Sequence, residues 1–336
     1  MSATRESADN TAAWVTQAER SNPLALRMMR WIALTLGRRL SRLLLHPITL
    51  YFVLAGGPTI EASADYLQRV LGRAPRWRDR YGHVHHFAAT ILDRVYLLRG
   101  DYERFDIDVV GIEHLDAVLR SERGAFLLGA HLGSFEVLRA MSVQRPGARV
   151  AMLMYEQNAQ LLMQILRAIA PDATQRIIGL GRMQAMLELR DWLDAGGVAG
   201  LLADRTLHGP DQHAGAARSR MHWIDFMGRP AAFSDGPFRL AALLRRPVLF
   251  MTGLYLGGNR YQIHFVPLAD FSDAVDPATG GKRAPYDAAV DAAILRYARL
   301  LEQHCRLAPR NWFNFFDFWA GSRGPQNAPH ASSDTP

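Results

Sequence analysis

Two kinds of hydrophobic pattern divide this chain of 336 residues. Up to about Leu98 the apolar positions recur at helical spacing, whereas from Phe105 onwards short apolar runs alternate with helical stretches. Strands are predicted at 105–110, 125–129, 149–154, 176–178, 198–202, 223–226, 248–254 and 261–266. Helices are predicted at 59–71, 77–98, 112–120, 135–141, 158–169, 183–193, 235–244 and 286–307. This alternation predicts an α/β fold with a mostly parallel central sheet flanked by helices.

The segment from Pro23 to Gly57 predicts a basic amphipathic helix. At 100° per residue, Arg38, Arg39 and Arg42 fall on one arc, and leucines fill the opposite arc. The uninterrupted apolar part, 43–55, is shorter than the roughly 20 residues that a spanning helix needs. We therefore expect the helix to lie flat in an anionic leaflet, with its arginines near the headgroups. A surface helix packed on the protein's own core, or a tilted span over 40–55, remains open.

Composition narrows the classes of partner. Apolar residues make up 49% of the chain, which excludes a disordered protein. The single cysteine, Cys305, excludes an intrachain disulfide, and we expect it to be buried. The net charge of +7 and a pI near 9.9 favour an anionic partner: nucleic acid, a membrane surface, or a phosphorylated or acidic-carrier substrate.

The strongest candidate for chemistry follows the predicted buried strand at 125–129. His131 and Glu136 are five residues apart, so on one continuous helix they would point about 140° apart. They can meet if His131 lies in the turn before a helix, with Gly133 permitting the turn and Ser134 as N-cap. A carboxylate bonded to one imidazole nitrogen makes the other nitrogen a base. Because the chain has no G-x-S-x-G sequence, His131 would deprotonate an incoming hydroxyl. The alternative is a loop histidine and a capping glutamate.

The run from His131 to Glu136 resembles the H-x4-D/E motif of the lysophospholipid acyltransferase superfamily. Other segments resemble the lipid A late acyltransferases, the lauroyl and myristoyl transferases, over nearly the whole chain from Trp14 to Trp319. These segments are 154–158 (MYEQN), 200–205 (GLLADR), 226–231 (FMGRPA) and the helix after Gly236. The resemblance implies transfer of a fatty acyl group from acyl carrier protein to a lipid hydroxyl, at the cytoplasmic face of the inner membrane, with no metal or other cofactor.

One segment departs from that pattern. Lipid A enzymes commonly end in a tryptophan-rich block with basic residues, whereas this chain has NWFNFFDFW at 311–319, with Asp317 in place of cationic character. The block resembles a subgroup associated with aryl-polyene pigment lipids. It therefore leaves open a lipid A-type acceptor, a related glycolipid or a pigment. The aromatic residues could equally form core or a membrane-interface contact.

Composition and hydrophobic pattern divide the chain into regions, and the resemblance adds their roles. We expect a flexible tail at 1–22, a helical membrane-associated region at 23–104, an acyltransferase domain at 105–320 and a disordered tail at 321–336. His131 would be the general base and Glu136 its orienting group. Substrate-binding roles are expected for Ser134, Asp204, Arg205 and Arg229. Asp204 would position Arg205 or the acceptor, while Arg205 or backbone N–H groups would stabilise the oxyanion.

The expected partners are acyl carrier protein or another acyl-thioester donor, an anionic membrane lipid as acceptor, and the inner-membrane surface, but no nucleic acid. The protein would be peripheral or monotopic on the cytoplasmic face. One rival is a non-catalytic, membrane-bound lipid- or carrier-binding protein. Another is a metal-dependent hydrolase using one of two histidine clusters. These are His83, His85 and His86, and the loop group His208, Asp211, His213 and His222. We predict no metal site, because 83 and 86 share a helix face that 85 does not, and no cysteine or suitably spaced carboxylate completes the set.

Overall fold

The computed structural model of the protein describes residues 23–138, 149–155, 176–205, 220–274 and 283–320. Its strands are β1 (Asp106–Val110), β2 (Ala125–Gly129), β3 (Val150–Tyr155), β4 (Arg176–Leu180), β5 (Val198–Leu202), β6 (Met221–Phe226), β7 (Arg229–Ser234), β8 (Pro247–Gly257) and β9 (Arg260–Asp270). Its helices are α1 (Pro23–Ala55), α2 (Gly57–Leu71), α3 (Trp77–Arg99), α4 (Ile112–Arg120), α5 (Met183–Asp194), α6 (Gly236–Leu243) and α7 (Arg283–Leu307).

Seven strands form one sheet in the order β1-β9-β8-β2-β5-β3-β4, and β6 and β7 form a separate antiparallel hairpin. Within the large sheet every neighbouring pair is parallel except β8 and β9. The α/β fold predicted from the alternating pattern is confirmed. Strand β2 lies between β8 and β5 and is buried along its whole length, which explains its continuous apolar run.

Most predicted elements occur within two to four residues of their expected bounds, and three points differ. The helix predicted at 135–141 begins as a 3₁₀ turn, Phe135–Val137, and residues 139–141 lie outside the described part of the chain. The helix predicted at 158–169 also lies outside it. Strand β7 was not predicted, because its short sequence, RPAAFS, contains a proline; the Pro230 position suits an edge strand. The division into regions stays a prediction.

Helix α1 turns Arg38 and Arg42 toward the rest of the protein, while Arg39 stays exposed. Arg38 donates two hydrogen bonds of 2.8 Å to the carboxylate of Asp93, a residue with no exposed surface. Arg42 donates to the hydroxyl of Tyr255 at 2.6 Å. The expectation that these two arginines face lipid headgroups is therefore wrong: a buried carboxylate on α3 pairs with Arg38.

The opposite side of α1 carries large apolar residues that no other described element covers. Leu43 is 62% exposed, Tyr51 66% and Leu54 73%. The other exposed apolar residues of this helix are Met28, Trp31, Leu36, Leu40, Leu44, Ile48, Leu50 and Phe52. These residues lie on both sides of a kink at Gly37, whose backbone is not helical, and together they form an exposed apolar face of the kind that marks an interaction surface. We call it the outer face of α1.

None of the described helices is by itself long and apolar enough to cross a bilayer. The pair formed by Arg30–Ala55 and α2 satisfies the length and composition criterion, but the two helices bend by 95° at their junction.

Candidate active site

The site lies where two neighbouring parallel strands end. Gly129 of β2 pairs with Leu202 of β5, and each strand is followed, two residues later, by a polar side chain: His131 after β2 and Asp204 after β5. Carboxyl ends of parallel strands are where open α/β sheets place their ligands. Because the two strands run side by side in register, the equal offsets bring the histidine and the aspartate together.

His131 and Asp204 form a hydrogen-bonded dyad. The ring Nδ1 of His131 lies 2.9 Å from Oδ1 of Asp204, and the backbone N–H of His131 donates to Oδ2 at 3.0 Å. A carboxylate can only accept, so Nδ1 carries the proton and Nε2 keeps its lone pair. The carboxylate is buried, whereas the side chain of His131 is 30% exposed. The arrangement therefore presents a neutral imidazole base from a fixed ring orientation.

The 311–313 segment holds both members of the dyad. The indole Nε1 of Trp312 donates to Oδ2 of Asp204 at 2.9 Å. The backbone of the same segment pairs with the loop of the histidine: Phe313 N–H donates to the His131 carbonyl, and Gly133 N–H donates to the Asn311 carbonyl, both at 2.8 Å. The aromatic block at 311–319 thus packs against the loop that carries His131, and sequence reasoning missed the contact of Trp312 with Asp204.

Gly133 is required by the turn after His131. Its φ is +77°, in the left-handed region, and a Cβ there would lie 2.0 Å from the carbonyl oxygen of Gly253. The next residue, Ser134, donates its N–H to that same carbonyl at 2.8 Å. The predicted turn at Gly133 is confirmed, and the loop is pinned directly on β8.

Glu136 binds a different partner from the one expected. Its Oε1 lies 2.7 Å from Nε of Arg94 on α3, and its Oε2 accepts a hydrogen bond of 2.9 Å from the hydroxyl of Ser134. Ser134 makes no side-chain N-cap. The carboxylate bonded to Nδ1 of His131 is Asp204, because the 3₁₀ turn directs Glu136 toward α3. The hydrogen bond to the His131 ring that was expected of Glu136 is therefore made by Asp204 instead.

Charge and burial set the protonation of the dyad. Burial lowers the pKa of His131 below its usual 6.5, the Arg205 and Arg94 guanidinium groups lower it further, and Asp204 opposes them. Burial by itself raises the pKa of Asp204, but His131, Arg205 and the Trp312 hydrogen bond outweigh it and hold that pKa to about 2. At neutral pH the aspartate is ionised and the imidazole is neutral.

The other two predicted site residues, Arg205 and Arg229, differ in their relation to the dyad. The positive charge of Arg205 lowers the pKa of both His131 and Asp204. Its guanidinium donates to the Phe313 carbonyl at 3.4 Å and lies over the ring of Phe316. Arg229 begins β7, and among the described residues no hydrogen bond or ion pair joins it to the dyad. The Gly133 and Ser134 N–H groups already serve backbone hydrogen bonds, so they are not available to an oxyanion.

The histidines considered for a metal site do not assemble one in the described ranges. No group of three or more His, Cys, Asp or Glu side chains there has metal-binding geometry. His83 is buried, with Nδ1 bonded to Ser63 and Nε2 bonded to the Trp312 carbonyl. His222 lies near Asp235 and Asp291, at 3.7 and 3.5 Å. Residues 208, 211 and 213 lie outside the described part of the chain.

Two comparisons with known proteins bear on this site. The family model described as "Bacterial lipid A biosynthesis acyltransferase" matches residues 94–320, which include the dyad, Glu136 and the 311–319 block. A search of curated proteins finds no match.

Proposed function

Because the chain belongs to the bacterial lipid A biosynthesis acyltransferase family, we propose that it moves a fatty acyl chain from an acyl carrier protein thioester to a hydroxyl of a lipid A-type acceptor. The family match gives the class of acyltransferase. The hydrogen-bonded pair of His131 and Asp204 at the ends of β2 and β5 is the observation that supports the mechanism.

In the proposed mechanism, Nε2 of His131 removes the proton of the acceptor hydroxyl as its oxygen attacks the thioester carbonyl. The tetrahedral intermediate collapses with cleavage of the C–S bond, and the imidazolium returns its proton to the departing thiolate. Asp204 keeps Nδ1 protonated and stabilises the imidazolium without itself taking the proton. The orienting role given to Glu136 by resemblance thus passes to Asp204.

Arg205 is the group we assign to the oxyanion. It is a fixed positive charge near both members of the dyad, whereas the Gly133 and Ser134 N–H groups are already engaged. Arg205→Lys keeps the charge but loses the planar fork, so we expect reduced turnover, with Arg205→Ala slower still. Equal rates for the two variants would place Arg205 away from the reacting groups.

Purified protein supplied with acyl carrier protein thioester and a lipid A precursor tests the reaction. Mass spectrometry should show an added acyl chain, and His131→Ala should lower turnover by about 10²–10⁴-fold. Lipids from a deletion strain identify the acceptor: a missing acyl chain on lipid A supports the proposal, and one missing from a pigment or other glycolipid supports those acceptors. No change in any lipid would favour a non-catalytic binding protein.

We also propose that the outer face of α1 rests in the inner membrane from its cytoplasmic side. Its support is the orientation of α1, in which Arg38 and Arg42 are bonded to the protein and large apolar residues are exposed. Lying flat keeps these side chains in hydrocarbon and leaves the paired charges on the protein side. Leu43→Glu combined with Leu54→Glu should abolish co-sedimentation with vesicles. Leu187→Glu, at an exposed leucine of α5, is the matched control and should leave it unchanged.

The flat arrangement predicts that both chain ends lie on one side of the membrane. Single cysteines placed in the first ten residues and after Gly321, in a Cys305→Ser background, should be labelled from the same side. Cys305 is the only native cysteine and is buried. Labelling of the two ends from opposite sides would instead show that α1 spans the bilayer.

A further inference from the structure

His83 is a buried histidine that the proposed mechanism does not use. It lies on α3 with no exposed surface, and both nitrogens of its ring are bonded. Nδ1 lies 2.7 Å from the hydroxyl of Ser63 on α2, and Nε2 lies 2.8 Å from the backbone carbonyl of Trp312. Ser63 and His83 both precede residue 94, where the match to the family begins. The imidazole therefore joins the N-terminal helices to the segment that carries Trp312.

The two partners determine which nitrogen of His83 carries the proton. A carbonyl oxygen can only accept, so Nε2 must donate to Trp312. A neutral imidazole has a single N–H, so Nδ1 accepts from the Ser63 hydroxyl. Burial, together with the charge of Arg310, lowers the pKa of His83 to about 4 although the Trp312 hydrogen bond opposes this, so the ring is neutral at pH 7. The hydrogen bonds therefore run in one direction, from Ser63 through His83 to Trp312.

The same direction continues from Trp312 to the dyad. The indole N–H of Trp312 donates to Oδ2 of Asp204 at 2.9 Å, and Oδ1 of Asp204 accepts from the ring of His131. The carbonyl that His83 holds and the indole that reaches Asp204 belong to the same residue. Because a hydrogen bond weakens with distance and misalignment, a shift of the Trp312 backbone would weaken the bond from its indole to the carboxylate. Trp312 is therefore the link between His83 and the group that orients the base.

Other hydrogen bonds of this segment do not replace the one from His83. The Trp312 carbonyl also accepts the N–H of Asn314 at 2.8 Å, but that bond is local and moves with the segment. The hydroxyl of Tyr66 on α2 donates to the carbonyl of Pro309 at 2.9 Å, three residues before the tryptophan. His83 thus anchors to the helices the residue whose indole binds the carboxylate, whereas Tyr66 anchors the start of the segment.

Aromatic packing holds the imidazole of His83 in this orientation. The ring of Phe315 stacks on it with centroids 4.8 Å apart, and the ring of Phe313 stacks at 6.2 Å. Phe87, one turn further along α3, meets both of these phenylalanines edge-on. A ring held by stacking and bonded at both nitrogens keeps a single orientation, as the support of a reacting group requires.

We propose that His83 is a positioning residue for acyl transfer: its N–H holds the Trp312 backbone, so that the indole stays bonded to Asp204 and the His131 ring keeps its orientation. This role rests on the proposed function, since it acts on the base of that reaction. His83 bonds Trp312 and not the dyad itself, so it is not a catalytic residue. Proton transfer depends closely on the geometry of the base, so loss of this support should lower kcat and leave KM unchanged.

Two amide substitutions separate the hydrogen bond to Trp312 from the packing of the ring. His83→Gln places an amide nitrogen near the Nε2 position and so retains a donor to the carbonyl, whereas His83→Asn reaches only to the Nδ1 position and loses it. We expect kcat of His83→Asn to fall by about tenfold with KM unchanged, and kcat of His83→Gln to stay within about twofold of the wild-type value. His83→Met, which has no donor, replaces the asparagine variant if that variant does not fold.

A second buried histidine and a double variant distinguish positioning from packing. His304 is also buried, and its Nδ1 bonds the Leu300 carbonyl of its own helix, α7. His304→Gln removes that donor and should lower the melting temperature without lowering kcat. In a Trp312→Phe background, His83→Asn should lower kcat by less than about a further twofold, because the path through the indole is already broken. Equal losses of kcat in His83→Asn and His83→Gln, or full additivity with Trp312→Phe, would overturn the proposal.

The indole N–H of Trp312 can be followed independently of acyl transfer, by NMR of full-length protein labelled with ¹⁵N at tryptophan in detergent. Its resonance is identified by its loss in Trp312→Phe. We expect the resonance to shift in His83→Asn and to keep its position in His83→Gln. An unchanged resonance in His83→Asn would overturn the positioning role. A shift confined to His83→Asn, in a protein that transfers no acyl chain, would refute only the proposed function.

Discussion

The indole N–H of Trp312 donates to Oδ2 of Asp204 at 2.9 Å, inside a site where both side chains are buried. The same oxygen accepts the backbone N–H of His131, and the other oxygen binds its ring. Three donors therefore fix one carboxylate, and that carboxylate fixes the imidazole. The hydrogen bond from Trp312 therefore links the aromatic segment 311–319 to the pair of His131 and Asp204.

Trp312→Phe removes this hydrogen bond while keeping an aromatic ring. A hydrogen bond to a charged group is worth about 1.5–3 kcal/mol, so we expect kcat to fall by roughly 10-fold or more with little change in KM. Trp319→Phe is the matched control, because that indole packs in the same aromatic cluster. Steady-state kinetics of the two variants decide the matter, and an equal loss of kcat in both would indicate general packing.

Substitution of the two carboxylates separates the orienting group from its neighbour. Asp204→Asn removes the negative charge and permits the wrong tautomer, so we expect turnover to fall by about 10²–10⁴-fold. Glu136→Gln should cost less, since Glu136 binds Arg94 and Ser134 and not the imidazole. Rates are measured on folded protein at one pH. A larger loss for Glu136→Gln would restore the orienting role to Glu136.

The pH profile should report the lowered pKa of His131. A general base works only when neutral, so kcat/KM should fall on acidification with a midpoint below 6.5. Arg94→Gln removes a cation that lowers this pKa and leaves Glu136 without its arginine, so the midpoint should move to higher pH. The double variant Arg94→Gln/Glu136→Gln should move it less. An unchanged midpoint in Arg94→Gln would show that the limb belongs to another group.

Docking of α1 depends on the ion pair between Arg38 and Asp93. Arg38→Ala removes the bidentate partner of a fully buried carboxylate and leaves Asp93 with the Tyr261 hydroxyl and the more distant Arg42, so the cost should approach but not exceed the roughly 3–5 kcal/mol of an unpaired buried charge. We expect that loss in the free energy of unfolding from denaturant titration. The neighbouring Arg39 is exposed, and Arg39→Ala should change stability by less than about 0.5 kcal/mol. Similar values for both variants would mean that α1 is held by other contacts.

Gly133→Ala should destabilise the loop after His131 by more than the strain of a positive φ alone would cost. That cost is about 1–2 kcal/mol, and it is isolated by Gly72→Ala, where φ is +65° and a Cβ would meet nothing within 4 Å. At Gly133 the added Cβ also meets the Gly253 carbonyl at 2.0 Å. We therefore expect a lower melting temperature for Gly133→Ala than for Gly72→Ala, and loss of turnover. Equal melting temperatures would show that the loop relaxes freely.

The alternation of strands and helices was determined by the sequence, because hydrophobic periodicity is a local property. It identified the buried strand β2, and with it the position of His131 just beyond the strand end. The turn at Gly133 was also predictable, since few residues other than glycine adopt a positive φ without strain. Family membership followed from short motifs whose spacing the chain itself carries.

Only the tertiary structure decided which carboxylate meets His131. Glu136 is five residues away and Asp204 is 73 residues away in the chain, yet the pairing of β2 with β5 brings Asp204 to the imidazole. A local motif cannot reveal this, because strand order depends on packing across the whole sheet. The sequence also left undetermined which side of α1 faces the protein, for the same reason. A helical projection separates arginines from leucines, but the buried Asp93 on α3 decides which side faces inward.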